Sequence, residues 1–167
     1  QKRELTEVKD AADSLYEAAG KLTDTSTSKS LFKKADKVTN DITSAVKDYV
    51  KNYNSLIEEA ADTTNSKVTG KVSFMTGQAN AYKSSLENVG ITINSDKTLS
   101  VDEDTFKKSD ISDVKKLFNG SGSMAYQTFV RASDISSAAE NASTSVTSYG
   151  ADGMYNNYYN SAYNWYL

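Results

Sequence analysis

The run TLSVDEDTF, residues 98–106, sets Asp102, Glu103 and Asp104 directly against a strand-like alternation. Three adjacent carboxylates invite cation binding or acid/base work. A calcium loop, however, needs acidic or amide ligands at alternate positions, a Gly at the sixth and a closing Glu. Neither NSDKTLSVDED nor its neighbours supply that set. Ser100-Val101-Asp102-Glu103 instead has the Ser-x-x-Glu form of a capping box, with all three acids in the first turn of a helix, where the amide ends favour negative charge. The expected role of the acids is structural.

Two other patterns could carry chemistry. Ser30-Leu31-Phe32-Lys33 and Ser112-Asp113-Val114-Lys115 match Ser-x-x-Lys, in which a Lys one helical turn away activates a Ser nucleophile. No Ser-Asp-Asn or Lys-Thr-Gly companion accompanies either, and a chain this rich in Ser and Lys yields such matches by chance. Gly120-Ser121-Gly122 lacks the Lys and Ser/Thr of a phosphate loop and reads as a helix break.

Composition narrows the classes further. The 167 residues include no Cys, His or Pro. Disulfides, thiolate nucleophiles and Cys- or His-based metal sites are therefore excluded, and so is the commonest general base. The chain is expected to be no enzyme and to need no cofactor or metal. A net charge of -3 with both signs interspersed gives no footprint for nucleic acid. No apolar run reaches the roughly 18 to 20 residues that span a bilayer. The sequence opens at Gln1, so any targeting segment is expected upstream.

The elements that must position these residues are mostly helical. Leu5, Val8, Ala12, Leu15, Ala19 and Leu22 recur three and four apart, as a helix packing along a seam requires. Leu31, Ala35, Val38, Ile42, Ala45, Tyr49, Tyr53, Leu56 and Ala60 predict a second helix of roughly thirty residues, about 45 Å long. Val68, Val72, Met75, Ala79, Tyr82, Leu86 and Val89 predict a third. Phe129, Ala132, Ile135, Ala139, Ala142, Val146 and Tyr149 predict a fourth. The polar runs TDTSTSKS and DTTNS separate the first three as caps or loops, and short connections favour antiparallel neighbours.

Ile91 and Ile93, then NSDK, then Leu99 and Val101 predict a small β-hairpin near 91–101 with four apolar side chains on one face, covering one end of the helices. Ser109-Asp110 starts a short helix with Ile111, Val114, Leu117 and Phe118 on its apolar face, and Asn119-Gly120 ends it as a left-handed cap. The expected fold is mainly α. It is an elongated antiparallel bundle of about four long helices plus one or two short ones, forming one domain over 1–150.

The segments GITINSDKTLSVDEDTFKK and DVKKLFNG together resemble the C-terminal region of the bacterial flagellar filament-cap family, the hook-associated protein 2 group. AVKDYVKNYNSLIEEA is similar to that family's helix with a Val-x-x-Tyr-Asn-x-Leu-Ile core. The resemblance covers roughly residues 40–145. It implies secretion to the extracellular flagellum or cell surface, a helical leg region, self-assembly, and capping or adhesive contacts with flagellin-like or export-chaperone partners. The family's large head domain is not recognisable here, and its terminal helices, which pair in the leg region, are replaced at the C-terminus by something else.

Gly150 and Gly153 are expected to break the last helix, leaving residues 151–167 as a tail ending MYNNYYNSAYNWYL. This stretch holds five of the eleven Tyr and the sole Trp. Tyr155, Tyr158, Tyr159, Tyr163 and Tyr166 follow the spacing of one helical face, with Trp165 beside them. Tyr and Asn are mediocre helix formers, so so short a segment orders only against something. Three readings stay open: the tail folds back on the bundle, meets a partner, or is disordered. As partners, a second copy or another protein comes ahead of a glycan, because Tyr and Trp join apolar area to a polar handle. The alternative class is a secreted carbohydrate-binding adhesin module that stacks sugars on these rings. From Ser121 onward only Arg131, Asp134, Glu140 and Asp152 are charged, which suits assembly.

Overall fold

The computed structural model describes residues 2–26 and 28–152, with side chains described through Ser145. Seven helices and one two-stranded sheet appear in these residues: α1 (Lys2–Thr23), α2 (Asn40–Ala60), α3 (Ser66–Asn80), α4 (Lys83–Asn88), β1 (Ile91–Ile93), β2 (Leu99–Val101), α5 (Glu103–Lys108), α6 (Ile111–Phe118) and α7 (Met124–Asp152). The mainly α bundle with a small hairpin is the fold expected from the seam spacing.

α1 is antiparallel to α7, since Tyr16 stacks on Phe129 while Asp13 accepts from Ser136 farther along. α3 is antiparallel to α7 as well, with Lys71 on Asp134 and Phe74 under Arg131. α2 lies against α1, with Glu59 near Glu7. The six seam residues of α1, Leu5, Val8, Ala12, Leu15, Ala19 and Leu22, are all fully buried. Ala12 and Ala19 of α1 and Ala132 and Ala139 of α7 are fully buried as well, and α1 and α7 pack against each other.

The second helix is shorter than expected. Residues 28–39 are not helical, and α2 begins at Asn40 because Thr39 is extended (φ -89°, ψ 168°) and its hydroxyl accepts from the Ile42 amide. Leaving the helix early lets Phe32, which lies off the seam, become fully buried, while Leu31 and Ala35 stay half-buried. The third helix is also two. Ala81 and Tyr82 donate to Gln78 and Ala79, a tightening to shorter-range bonds that ends α3. The chain turns there because α3 packs on α7, whereas α4 packs on β1 and α6. The last helix starts earlier than the spacing suggested, at Met124, where Ser123 Oγ accepts from the Tyr126 amide. It also passes through Gly150 to Asp152, since one Gly costs a helix interior only about 1 kcal/mol.

Residues 83–118 form an insert on the side of the bundle. β1 and β2 pair antiparallel with Ile91 opposite Val101 and Ile93 opposite Leu99. Asn94 and Thr98 close the turn, with Lys97 in the left-handed region at φ 76°. Phe106 of α5 and Phe118 of α6 meet edge to face, and Phe118 meets Tyr49 of α2 the same way, so one aromatic cluster joins insert to bundle. The Tyr49 hydroxyl shares a 2.7 Å hydrogen bond with Thr128 of α7, and its burial pushes its pKa well above the ordinary tyrosine range.

A candidate interaction surface

The three carboxylates of the TLSVDEDTF run do not converge. Asp102 is the N-cap of α5 and accepts from the Thr105 amide at 3.1 Å. Glu103 takes a 2.6 Å ion pair from Lys47 of α2 and a longer one from Lys107. The Lys47 hydrogen bond, with the charges of Lys107 and Lys47, holds Glu103 below the usual carboxylate range. Asp104 sits in the first turn. The capping box is corrected in one respect: Ser100 belongs to β2 and bonds to Asn94, so the cap is Asp102 alone. Strand geometry carries Ser100 away from the helix start. Among the described residues no group of three acids gathers where a cation could be held.

Other polar candidates are likewise engaged in local structure. Ser112 donates to Asp110, the N-cap of α6, and Ser30 Oγ accepts from the Phe32 amide. Gly120, at φ 83°, follows an extended Asn119 and supplies the left-handed position that ends the chain's helical path after α6. The Asn119 side chain reaches across and donates to the Leu22 and Asp24 carbonyls, covering the C-terminal end of α1.

Two segments quoted for the family resemblance touch. The Asn54 side chain donates to the Leu99 carbonyl at 2.9 Å and accepts from the Leu99 amide at 2.7 Å, so its amide group docks β2 on α2 as a strand would. Nothing in the local sequence marks Asn54 for this, because its partner lies 45 residues away. At the next motif, Gly90 is left-handed (φ 81°), and a Cβ there would lie 2.8 Å from Thr105. It also accepts from the Asp102 amide, which brings α5 back against the start of β1.

The feature that local structure does not absorb is aromatic. The exposed large hydrophobic residues among those described are Tyr16 (39%), Phe74 (55%), Tyr126 (37%) and Val130 (36%). Tyr16 stacks on Phe129 at 4.2 Å between ring centres, and Tyr126 stacks on the same Phe129 at 5.9 Å. Tyr16, Phe129, Val130 and Arg131 line one shallow depression with Ser133, Asp134 and Ser137. Arg131 continues the patch to α3 by lying 5.3 Å over the Phe74 ring. Single exposed hydrophobics are ordinary, but a joined set rimmed by polar groups marks contact with something else.

The aromatic residues singled out in the sequence, Tyr155, Tyr158, Tyr159, Tyr163, Trp165 and Tyr166, lie outside the described residues. The α7 patch escaped sequence reading because Phe129 and Tyr126 fit a helix seam equally well. No described helix is long and apolar enough to cross a membrane. No family model matches the chain, and neither a curated protein nor a solved structure shows a significant match to it.

Proposed function

We propose that this chain is a non-enzymatic assembly protein of the bacterial cell surface or flagellum, similar to the filament cap, that works by binding copies of itself or a protein partner. The observation that carries this reading is the joined aromatic patch of Tyr16, Phe74, Tyr126, Phe129 and Val130 on α1, α3 and α7. Its stacked rings offer apolar area with hydroxyls at the edge, the chemistry favoured at protein contacts. Support also comes from the polar residues that could have formed a catalytic site, which serve as caps and ion pairs. The docking of Leu99 on Asn54 joins two motifs of the family resemblance in one unit.

Light scattering across a concentration series, with and without flagellin-like subunits, tests the reading. Association is expected, and Phe74→Ser should weaken it without loss of helical content. A chain that stays monomeric and binds no such subunit would overturn the proposal.

A further inference from the structure

A second concave site lies in the insert, between α4 and α6, and is built from polar side chains that the fold does not use. Tyr82, Ser85 and Asn88 follow one edge of α4 at intervals of three, while Asp113, Lys116 and Leu117 share one face of α6, so the two sets meet across the cleft. The cleft encloses about 190 Å³. Leu117 is buried and Tyr82 half-buried, whereas the other four are exposed. The break between α3 and α4 sets Tyr82 here: it packs partly on the core and gives the rest of its surface to the cleft.

Elsewhere in the insert, polar side chains close local structure. Asn94 bonds to Thr98 and Ser100, Asp102 caps α5, and Asp110 caps α6. In the cleft, by contrast, the Tyr82 and Ser85 hydroxyls, the Asn88 amide and the Asp113 carboxylate make no hydrogen bond or ion pair with any described residue. Asp113 and Lys116 stand one turn apart without pairing, and the Lys116 charge is felt at Asp110 instead. The lining therefore offers an acceptor-only carboxylate, a donor-only ammonium, and three groups that both donate and accept.

That set selects its ligand. An anion drawn to Lys116 meets Asp113, and a cation drawn to Asp113 meets Lys116, so neither gains from the whole lining. A neutral molecule whose hydroxyls each donate and accept can satisfy all five groups, and a pyranose adds a C–H face that suits the Tyr82 ring.

We propose that the cleft between α4 and α6 binds a neutral pyranose sugar, with Tyr82 against the ring and Asn88 and Asp113 holding its hydroxyls. The inference goes beyond the assembly reading, because the aromatic patch lies on α1, α3 and α7 and this cleft on the insert. A small, open site holds a single sugar weakly, so dissociation constants in the millimolar range are expected.

Amide NMR of the full chain, titrated with glucose, galactose, mannose and N-acetylglucosamine, tests the proposal. At least one of these sugars is expected to give saturable shifts centred on residues 82–90 and 111–118. Asn88→Ala and Asp113→Ala remove exposed side chains, so helical content should persist while the dissociation constant rises several-fold. Phe74→Ser, on the aromatic patch, should leave sugar binding unchanged. No saturable shift with any of the four sugars up to tens of millimolar, shifts centred outside the insert, or binding indifferent to both cleft variants would overturn the proposal. Inorganic phosphate or glycine shifting the same amides as strongly as the sugars would overturn it too, by showing that charge and not hydroxyl pattern is read. Light scattering reads association independently, so either proposal can fail alone.

Discussion

α1 and α7 meet along buried Leu, Val, Ile and Ala, whereas the insert between Lys83 and Phe118 is shaped by caps, a tight turn and one side-chain amide. The first arrangement draws its stability from apolar area contributed by residues far apart in sequence, such as Leu5, Ala12 and Leu15 of α1 and Ala132, Ile135 and Ala139 of α7. The second depends on hydrogen bonds between residues two or three apart, such as Thr98 to Asp96, Thr105 to Asp102 and Ser112 to Asp110. Truncating side chains should therefore injure the bundle most, and altering polar or glycine positions should injure the insert most.

Phe118 lies where the two regions join, against Tyr49 and Phe106, and is fully buried. Phe118→Ala should cost about 3–5 kcal/mol in a denaturant titration and do so in one transition. A second, separate transition would show that insert and bundle unfold independently.

Gly90→Ala comes next. The left-handed backbone and the 2.8 Å approach to Thr105 should together cost more than about 1 kcal/mol in thermal unfolding. A neutral outcome would mean that α5 shifts freely against β1, contrary to a tightly specified insert.

Asp102→Ala should cost about 1 kcal/mol through loss of the α5 cap. Ser100→Ala, on the strand, should stay within about 0.5 kcal/mol of neutral. Comparable losses at both positions would restore the capping-box reading.

The smallest effect concerns acid. Hydrogen bonds from Thr98 to Asp96, from Lys47 to Glu103 and from Ser112 to Asp110 hold these three carboxylates of the insert below their usual range. A depressed folded pKa gives stability that is present above the unfolded value and is lost as pH falls through the folded one. The loss belongs below about pH 4. In the bundle the signs are mixed. Partial burial opposes the shift of Asp13, but hydrogen bonds from Lys9 and Ser136 outweigh it and lower its pKa. Glu59 is raised by desolvation and by Glu7, so acid relieves a repulsion there. Hydrogen exchange at about pH 3.5 should thus show the insert losing protection before α1 and α7. Equal loss in both regions would remove the contrast.

Much of this architecture was legible in the sequence because it repeats. The α1 seam and the α2 seam from Ile42 to Ala60 are buried as their spacing requires, and the hairpin alternation places Ile91 and Leu99 inside. Val46 and Val50 are buried off that α2 seam, since the helix packs on α1 and also on β2 and α5. The acids of the TLSVDEDTF run were legible as helix-entrance charges, though not which residue caps. Ser100 and Asp102 both offer an oxygen to a helix start, and only the path of β2 decides between them.

The sequence by itself determined the helical periods, the hairpin and the α6 helix, because these follow from local spacing and from turn and cap residues a few positions apart. Tertiary structure alone decided that Phe32 draws the chain out of a helix, that α3 and α4 part company at Ala81, that Asn54 and Asn119 bridge distant backbone, and that Tyr16, Tyr126 and Phe129 form one patch. The physical reason is the same in each case. A polar group or an aromatic ring can satisfy itself in many local ways, and which one wins depends on the surface that the rest of the fold brings within a few ångströms.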